Sequence, residues 1–269
     1  MSGTLPLVSI IITSCNRSNL LRLTLDNISK QTYVNFEILV FLDNCTENYN
    51  SLRQSYKKEN IKFFDTNSIH SNPAYPRNLG VKYSSGHLIA FCDDDDLWHP
   101  QKLELQVETI LNMSGDKKLV CSNFKAFNDE SELDNFKRIN STSIEKNIHS
   151  FHLLFKNVIP LSSSLITKNC FQLNNKFEPA NNIIEDWYLW LLLLDSVELK
   201  KITEELLFYR IHKNSFFTGN KWSLRAKFFS THLAALQKSK KYFFRRVFFL
   251  LFHLNISILS KALIGLRLR

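Results

Sequence analysis

In the first half of the chain, apolar residues come in short runs, separated by stretches where they recur every three or four positions. Residues 7–13 are an apolar, β-branched run, the pattern of a strand buried on both faces. Residues 19–29 then place Leu20, Leu21, Leu23, Leu25 and Ile28 on one side of a helix. A second apolar run at 36–42 ends at Asp43, a polar helix is predicted over 48–58, and a third strand over 61–65. A helix over 75–84 stops at Ser85-Gly86. A fourth strand follows over 87–92, then a helix from Pro100 to about Leu111, then a strand over 119–127. Strands that alternate with helices in this way predict an α/β fold, with a mostly parallel central sheet flanked by helices.

Four carboxylates, Asp93 to Asp96, follow directly on the fourth apolar run. In open α/β sheets, ligands bind beyond the carboxyl ends of the strands, and Asp43 and the Asp93–Asp96 block both fall at such ends. Like charges gathered there repel one another unless a hard divalent cation, which takes oxygen ligands, holds them together. The alternative is an acidic surface turn, but a solvated turn has no need of a strand and Trp98 beside it.

The 269 residues are 44% hydrophobic and 22% charged, enough for a sizeable core. The N-terminus lacks a basic region, and its apolar run is too short for a secretory signal. The five cysteines form no C-x-x-C pair and read as reduced, structural thiols of a cytoplasmic protein. The net charge of +9 is uneven: residues 206–269 hold thirteen Lys and Arg and no acid, leaving 21 basic against 25 acidic residues in 1–205. The chain is therefore read as a catalytic domain over 1–215 and a basic, helical segment over 216–269.

Six pieces, in order, carry a resemblance. They are Thr13-Ser14-Cys15-Asn16-Arg17 after the first strand, the second strand ending at Asp43, and Arg77-Asn78-Leu79-Gly80. After these come Asp93-Asp94-Asp95-Asp96 with Leu97-Trp98-His99-Pro100, then Glu185-Asp186-Trp187, and Tyr209-Arg210-Ile211-His212. Together they resemble the family 2 glycosyltransferases, which have the GT-A fold, over roughly residues 5–215. The chain departs from the family pattern after Asp43, where Asn44-Cys45-Thr46-Glu47 stands in place of a paired acid and G-S-T-D. No Q-x-x-R-W motif follows Trp190, so single transfer is expected rather than polymerisation.

The resemblance implies an inverting hexosyl transfer, with a UDP-sugar as the expected donor and Mn²⁺ or Mg²⁺ as cofactor. Asp95 and His212 are the expected metal ligands. Thr13, Asn16, Arg17, Asp43, Arg77, Asp93 and Asp94 are expected to bind the nucleotide sugar, Asp43 through the uracil N3–H, and Arg77 beside the diphosphate or the aspartates. Asp93 either holds the ribose or assists the metal. Asp186 is the expected general base; Glu185 is either its substitute or an acceptor ligand. Asp96 is expected to bond the backbone at the start of the following helix. Ser162, Ser163 and Ser164 are read as acceptor contacts or as a plain strand or turn, and Trp98 and Trp187 as sugar-stacking rings or as core. Competing readings are a metal-dependent nucleotidyltransferase, a phosphatase using a D-x-D nucleophile, and a non-catalytic membrane scaffold. Against the first, residues 13–19 contain no Gly for a phosphate loop. Against the second and third, Glu185-Asp186 would go unused.

From 238 to 269 eight bases flank and interrupt an apolar stretch, Val247 to Leu266, that contains His253, Asn255, Ser257, Ser260 and Lys261. A central charge makes a poor membrane span. A helix lying on an anionic membrane surface fits better, with a helix packed on the catalytic domain or on a partner subunit as the alternative. The expected acceptor is a lipid-linked saccharide, reached from the cytoplasmic face of the inner membrane. Nucleic acid is not an expected partner, because the tail is too continuously apolar.

Overall fold

The fold was examined in a computed structural model, which describes residues 5–57, 60–68, 72–133, 136–140, 143–145, 153–154, 156–171, 176–194, 196–211 and 221–238. His212 and the tail from 239 onward lie outside the described residues.

The apolar runs form the strands β1 (Val8–Ser14), β2 (Phe36–Asp43), β3 (Ile61–Thr66) and β4 (Leu88–Asp93). Between them lie helices α1 (Ser18–Ile28), α2 (Asn50–Ser55) and α3 (Ala74–Tyr83). The segment predicted as a helix over 48–58 keeps fewer than two turns, because Leu52 is its single buried residue. Next come β5 (Leu97–Trp98), α4 (Lys102–Leu111), β6 (Lys118–Phe127), β7 (Ile144–Glu145), β8 (Leu165–Thr167), α5 (Glu185–Leu193), β9 (Glu198–Arg210) and α6 (Lys221–Lys238).

The strands form one mixed sheet in the order β3-β2-β1-β4-β8-β6-β9-β5, with β7 paired to β9. The first four strands are parallel, as the alternation of strands and helices predicted; β1, β2 and β4 are almost wholly buried and β3 is the partly exposed edge. Directions then mix: β8 runs antiparallel to both β4 and β6, β6 and β9 are parallel, and β5 and β7 are antiparallel to β9. Successive strand residues face opposite layers. Ile10 and Ile12 join Leu21, Leu25, Leu103 and Val107 under α1 and α4. Ile11 faces the other side with Phe41, Phe91, Val81 and Trp190 under α3 and α5. Burying each such aliphatic side chain stabilises the fold by roughly 1.5–3 kcal/mol. Gly80 permits the α3 contact, since a Cβ there would fall inside the Ile11 side chain.

Chain order reverses direction across the sheet at β1, which has β2 on one side and β4 on the other. Such a switch point opens a crevice at the strand ends. Thr13 pairs in register with Asp93 there, so the loop carrying Asn16 and Arg17 and the four-aspartate loop leave the sheet side by side.

Candidate active site

The four aspartates are held in four different environments. Asp93 ends β4; its N–H donates to Ser162 Oγ (3.0 Å), and its carboxylate pairs with Arg77 Nη2 (2.7 Å). Asp94 is fully buried; it accepts from Ser14 Oγ (2.6 Å) and pairs with Arg17 Nη2 (2.5 Å). Burial, with the charges of Asp95 and Asp93, pushes its pKa up to about 7, against the pull of Arg17 and Ser14. Asp95 pairs with Arg17 Nη1 (2.8 Å). Asp96 accepts the Arg210 N–H (3.3 Å) and is held well above the usual carboxylate range by burial and by the charges of Asp93 and Asp95.

This loop is gripped from two sides. The Thr24 hydroxyl on α1 lies 3.0 and 3.1 Å from the Asp94 and Asp96 carbonyls. Asn27 donates to the Trp98 carbonyl and accepts its N–H, as a neighbouring strand would. On the other side, Arg210 Nε from β9 donates to the Asp95 carbonyl (2.9 Å). One expectation is corrected here, and one choice between two readings is made. Asp96 does not cap α4, whose first turn has no side-chain cap; its carboxylate faces β9 instead. Trp98 cannot stack on a sugar, because it is fully buried and the Lys102 ammonium sits 3.7 Å from its ring centre. Burial also pushes Lys102 down to about 7.

On the nucleotide side, Asn16 adopts a positive φ of 54°, and its Oδ1 accepts the N–H groups of Thr46 (2.8 Å) and Glu47 (2.9 Å). It thereby ties the loop after β1 to the loop after β2. Asp43 Oδ1 accepts from Thr66 Oγ1 (2.8 Å) and the Ser68 N–H (3.0 Å), bracing the loop after β3. Thr13 lies half-buried between Phe41 and Asp93 in the sheet register.

Arg77, on α3, connects the two acidic motifs. Only 6% exposed, it donates to Asp93 (2.7 Å) and to Glu185 (2.6 Å), and its guanidinium lies 5.7 Å from the Phe177 ring centre. Burial alone would lower its pKa, but Asp93 and Glu185 outweigh this and raise it. Arg77 thus lies beside the aspartates, one of the two places expected for it, and bridges two carboxylates, one of them 108 residues away in sequence.

Asp186 sits in the first turn of α5. Its Oδ2 accepts from Asn157 Nδ2 (2.8 Å), and its Oδ1 from the Trp187 N–H (2.7 Å). Burial, followed by the Glu185 charge, pushes it up to about 7, against Asn157 and Arg77. Asn157 was not foreseen; nothing in its local sequence marks it as the partner of an acid 29 residues later.

Arg77, Asp93, Asp96, Ser162, Glu185, Asp186 and Tyr209 line one cleft of about 790 Å³. Of the three serines read as acceptor contacts, only Ser162 lines this cleft. The hydroxyls of Ser163 and Ser164 bond back to the carbonyls of Pro160 and Leu161 in their own 3₁₀ turn. Trp187 is 1% exposed and donates to the Leu153 carbonyl, so it belongs to the core between α5 and α6.

Among the described residues no three His, Cys, Asp or Glu side chains are arranged to hold a metal ion by themselves. The donor chemistry nevertheless suits a hard cation: the carboxylates at the β4 end are oxygen donors, and burial first, then their mutual repulsion, raises Asp93, Asp94 and Asp96.

Comparison with known proteins gives the family and the fold. Over 265 residues the chain is 28% identical to the UDP-Glc:alpha-D-GlcNAc-diphosphoundecaprenol beta-1,3-glucosyltransferase WfgD of Escherichia coli, covering 95% of both chains. Its fold is shared with S. aureus TarS, solved in complex with UDP-GlcNAc, at a TM-score of 0.64 and 15% identity. That alignment covers 84% of this chain and 66% of TarS. The fold is also shared with the mannosyltransferase PcManGT from Pyrobaculum calidifontis, solved with GDP-Man and Mn²⁺, at a TM-score of 0.61 and 13% identity, covering 87% of this chain and 65% of that one. The description "Glycosyl transferase family 2" matches residues 9–176, from β1 through the four-aspartate loop to beyond β8, and the chain, with its GT-A fold, belongs to that family.

Proposed function

We propose that this protein is an inverting, metal-dependent hexosyltransferase that moves a sugar from a UDP-sugar to a hydroxyl of a lipid-linked saccharide in bacterial surface-polysaccharide synthesis. The observation that carries the reading is the joining of the two acidic motifs in one cleft, with Asp186 half-buried in its wall and poised near neutrality. The similarity to WfgD favours UDP as the nucleotide and a diphosphate-linked lipid acceptor. The Mn²⁺ complex of PcManGT favours a divalent ion.

In this reading the nucleotide lies over the ends of β1, β2 and β4, with Asp43 accepting from the base and Asn16 and Arg17 shaping the loop beneath it. Asp95 and His212 would hold Mg²⁺ or Mn²⁺, which neutralises the charge that develops on the departing diphosphate. Arg77 keeps Asp93 and Glu185 fixed at the border between donor and acceptor. Asp186 takes the proton from the acceptor hydroxyl as that oxygen attacks the anomeric carbon. A carboxylate with a pKa near the working pH is well matched to that task. One base opposite one leaving group gives a single displacement, hence inversion. The segment beyond α6 would lie on the cytoplasmic face of the membrane, bringing the cleft to its acceptor; among the described residues no helix is long and apolar enough to cross a bilayer.

The test is transfer from a panel of nucleotide sugars to a synthetic lipid-diphosphate-linked acceptor, with Mn²⁺, Mg²⁺ or EDTA. Metal-dependent transfer with inverted product stereochemistry is expected. Retention of configuration, or full activity in EDTA, would overturn the mechanism; nucleotide transfer to a phosphate would favour the nucleotidyltransferase reading.

A further inference from the structure

The cleft that contains Asp186 does not extend over the nucleotide side of the site. Asp93, Asp96, Glu185 and Asp186 line it, whereas Arg17, Asp43, Asp94 and Asp95 do not. Besides Arg77, which Asp93 and Glu185 already engage, two further cations, Lys156 and Lys227, line the same cleft. Separate elements place each of them against the start of α5. Lys156 immediately precedes Asn157, whose amide donates to Asp186. Lys227 lies one helical turn before Thr231 on α6. The Thr231 hydroxyl donates to the Lys227 carbonyl (2.7 Å) and accepts the Ile184 N–H (2.9 Å), one residue before Glu185. The remaining wall is largely apolar and includes Phe124, Ile183 and Phe228.

We infer that Lys156 and Lys227 bind the diphosphate of a lipid-diphosphate-linked acceptor and set a preference for acceptors that carry it. The inference rests on the acceptor class proposed above. In such an acceptor the diphosphate is attached to the anomeric carbon of the sugar whose hydroxyl must reach Asp186. The anion therefore lies one sugar ring from the base and enters the same cleft. Four carboxylates line that cleft and would repel it, so cations nearby are required if it is to be accepted at all. Lysine suits this role, because its ammonium meets phosphoryl oxygens as a compact charge without fixed orientation. Phe124, Ile183 and Phe228 supply apolar surface for the first part of the lipid chain. The donor also carries a diphosphate, but Asp95, proposed to hold its metal, and Arg17, which pairs with Asp95, lie outside the wall that these lysines share.

The experiment uses the full chain and the variants Lys156→Gln, Lys227→Gln and the double substitution. Two acceptors with the same sugar are compared: one joined to an alkyl chain through a diphosphate, the other a neutral alkyl glycoside. For the diphosphate acceptor, KM should rise about tenfold per lysine, the size of one charge-assisted hydrogen bond, with kcat little changed. KM for the neutral glycoside should stay put, so the wild-type preference collapses, and Lys→Arg at either position should restore it. Equal losses with both acceptors would overturn the assignment, because a merely structural lysine behaves that way. A fall in UDP affinity by calorimetry would overturn it in favour of the donor diphosphate. Wild-type protein that uses both acceptors equally well overturns this inference alone. Wild-type protein that uses neither overturns the proposed acceptor class as well.

Discussion

Replacing Asp186 with Asn tests the base directly, and the structure specifies two effects of opposite sign. Asn keeps the shape of the side chain. Its Oδ1 can still accept the Trp187 N–H, and its amide can meet Asn157 once that amide turns over, so the contacts at 2.7 and 2.8 Å survive. The ability to take a proton does not survive. General-base contributions of about 10²–10⁴ predict a turnover loss of that size, a barrier increase of about 3–5 kcal/mol. Stability should move the other way. Asp186 is raised from an ordinary carboxylate value to about 7, so between those two pH values the folded protein holds a proton that the unfolded chain has released. Stability therefore falls as pH rises through this window, and the ionised group costs up to about 4 kcal/mol above it. Asn carries no such penalty. The variant should melt at a higher temperature than wild type at pH 8 and at the same temperature at pH 4, while wild-type kcat/KM rises with pH through about 7. The assays are steady-state transfer with a saturating donor and thermal unfolding at the two pH values. A variant that keeps most of its turnover, or a melting difference independent of pH, would refute the reasoning.

Asp95→Asn should reduce transfer by at least about a hundredfold, since a catalytic metal supplies several kcal/mol of charge stabilisation, and should weaken Mn²⁺-dependent UDP binding while the fold persists. Unchanged UDP and Mn²⁺ affinity by calorimetry would remove Asp95 from the metal site. Arg77→Met leaves two carboxylates without their shared cation. It should cost about 3–5 kcal/mol at pH 8, lowering the melting temperature by roughly 10 °C. The loss should shrink as pH falls, because Asp93, which burial raises above its ordinary value, takes up a proton sooner than a free carboxylate; an unchanged melting temperature at pH 8 would contradict the bridge. Deleting 239–269, beyond α6, should release the protein from anionic liposomes without loss of metal-dependent UDP-sugar hydrolysis. Full-length protein that ignores such liposomes at low salt would exclude the membrane-surface role.

The first four strands and the helices between them were legible to within a few residues because β1, β2 and β4 are nearly continuous apolar runs and β3 is a short run set off by polar neighbours. Of the later strands β6 was legible over 119–127, and β5, β7, β8 and β9 were not. Three residues of β8 and two of β5 are too short to show a period, and β9 mixes Lys and Glu with Leu and Ile because it is only partly buried. The acidic motifs were visible as local strings, yet the use made of each acid was not. Asp96 looked like a helix cap and proved to face β9, because β9 passes beside the loop and offers the Arg210 N–H. Trp98 was open to two readings, sugar-stacking ring or core, and it is core, with Lys102 at the start of α4 against its ring.

What the amino-acid order determined alone is the set of elements and the placing of carboxylates at strand ends, because hydrophobic period and local chemistry are properties of neighbouring residues. What the tertiary structure decided is which carboxylates act together. Arg77 meets Asp93 from 16 residues away and Glu185 from 108. Arg17 meets Asp95 across 78 residues because β1 and β4 are neighbours at the switch point of the sheet. The shift of Asp186 toward neutrality belongs to the same level: an isolated Glu-Asp pair at a helix start is an ordinary ionised pair, and only tertiary packing around the start of α5 removes enough water to raise its pKa against the pull of Asn157 and Arg77.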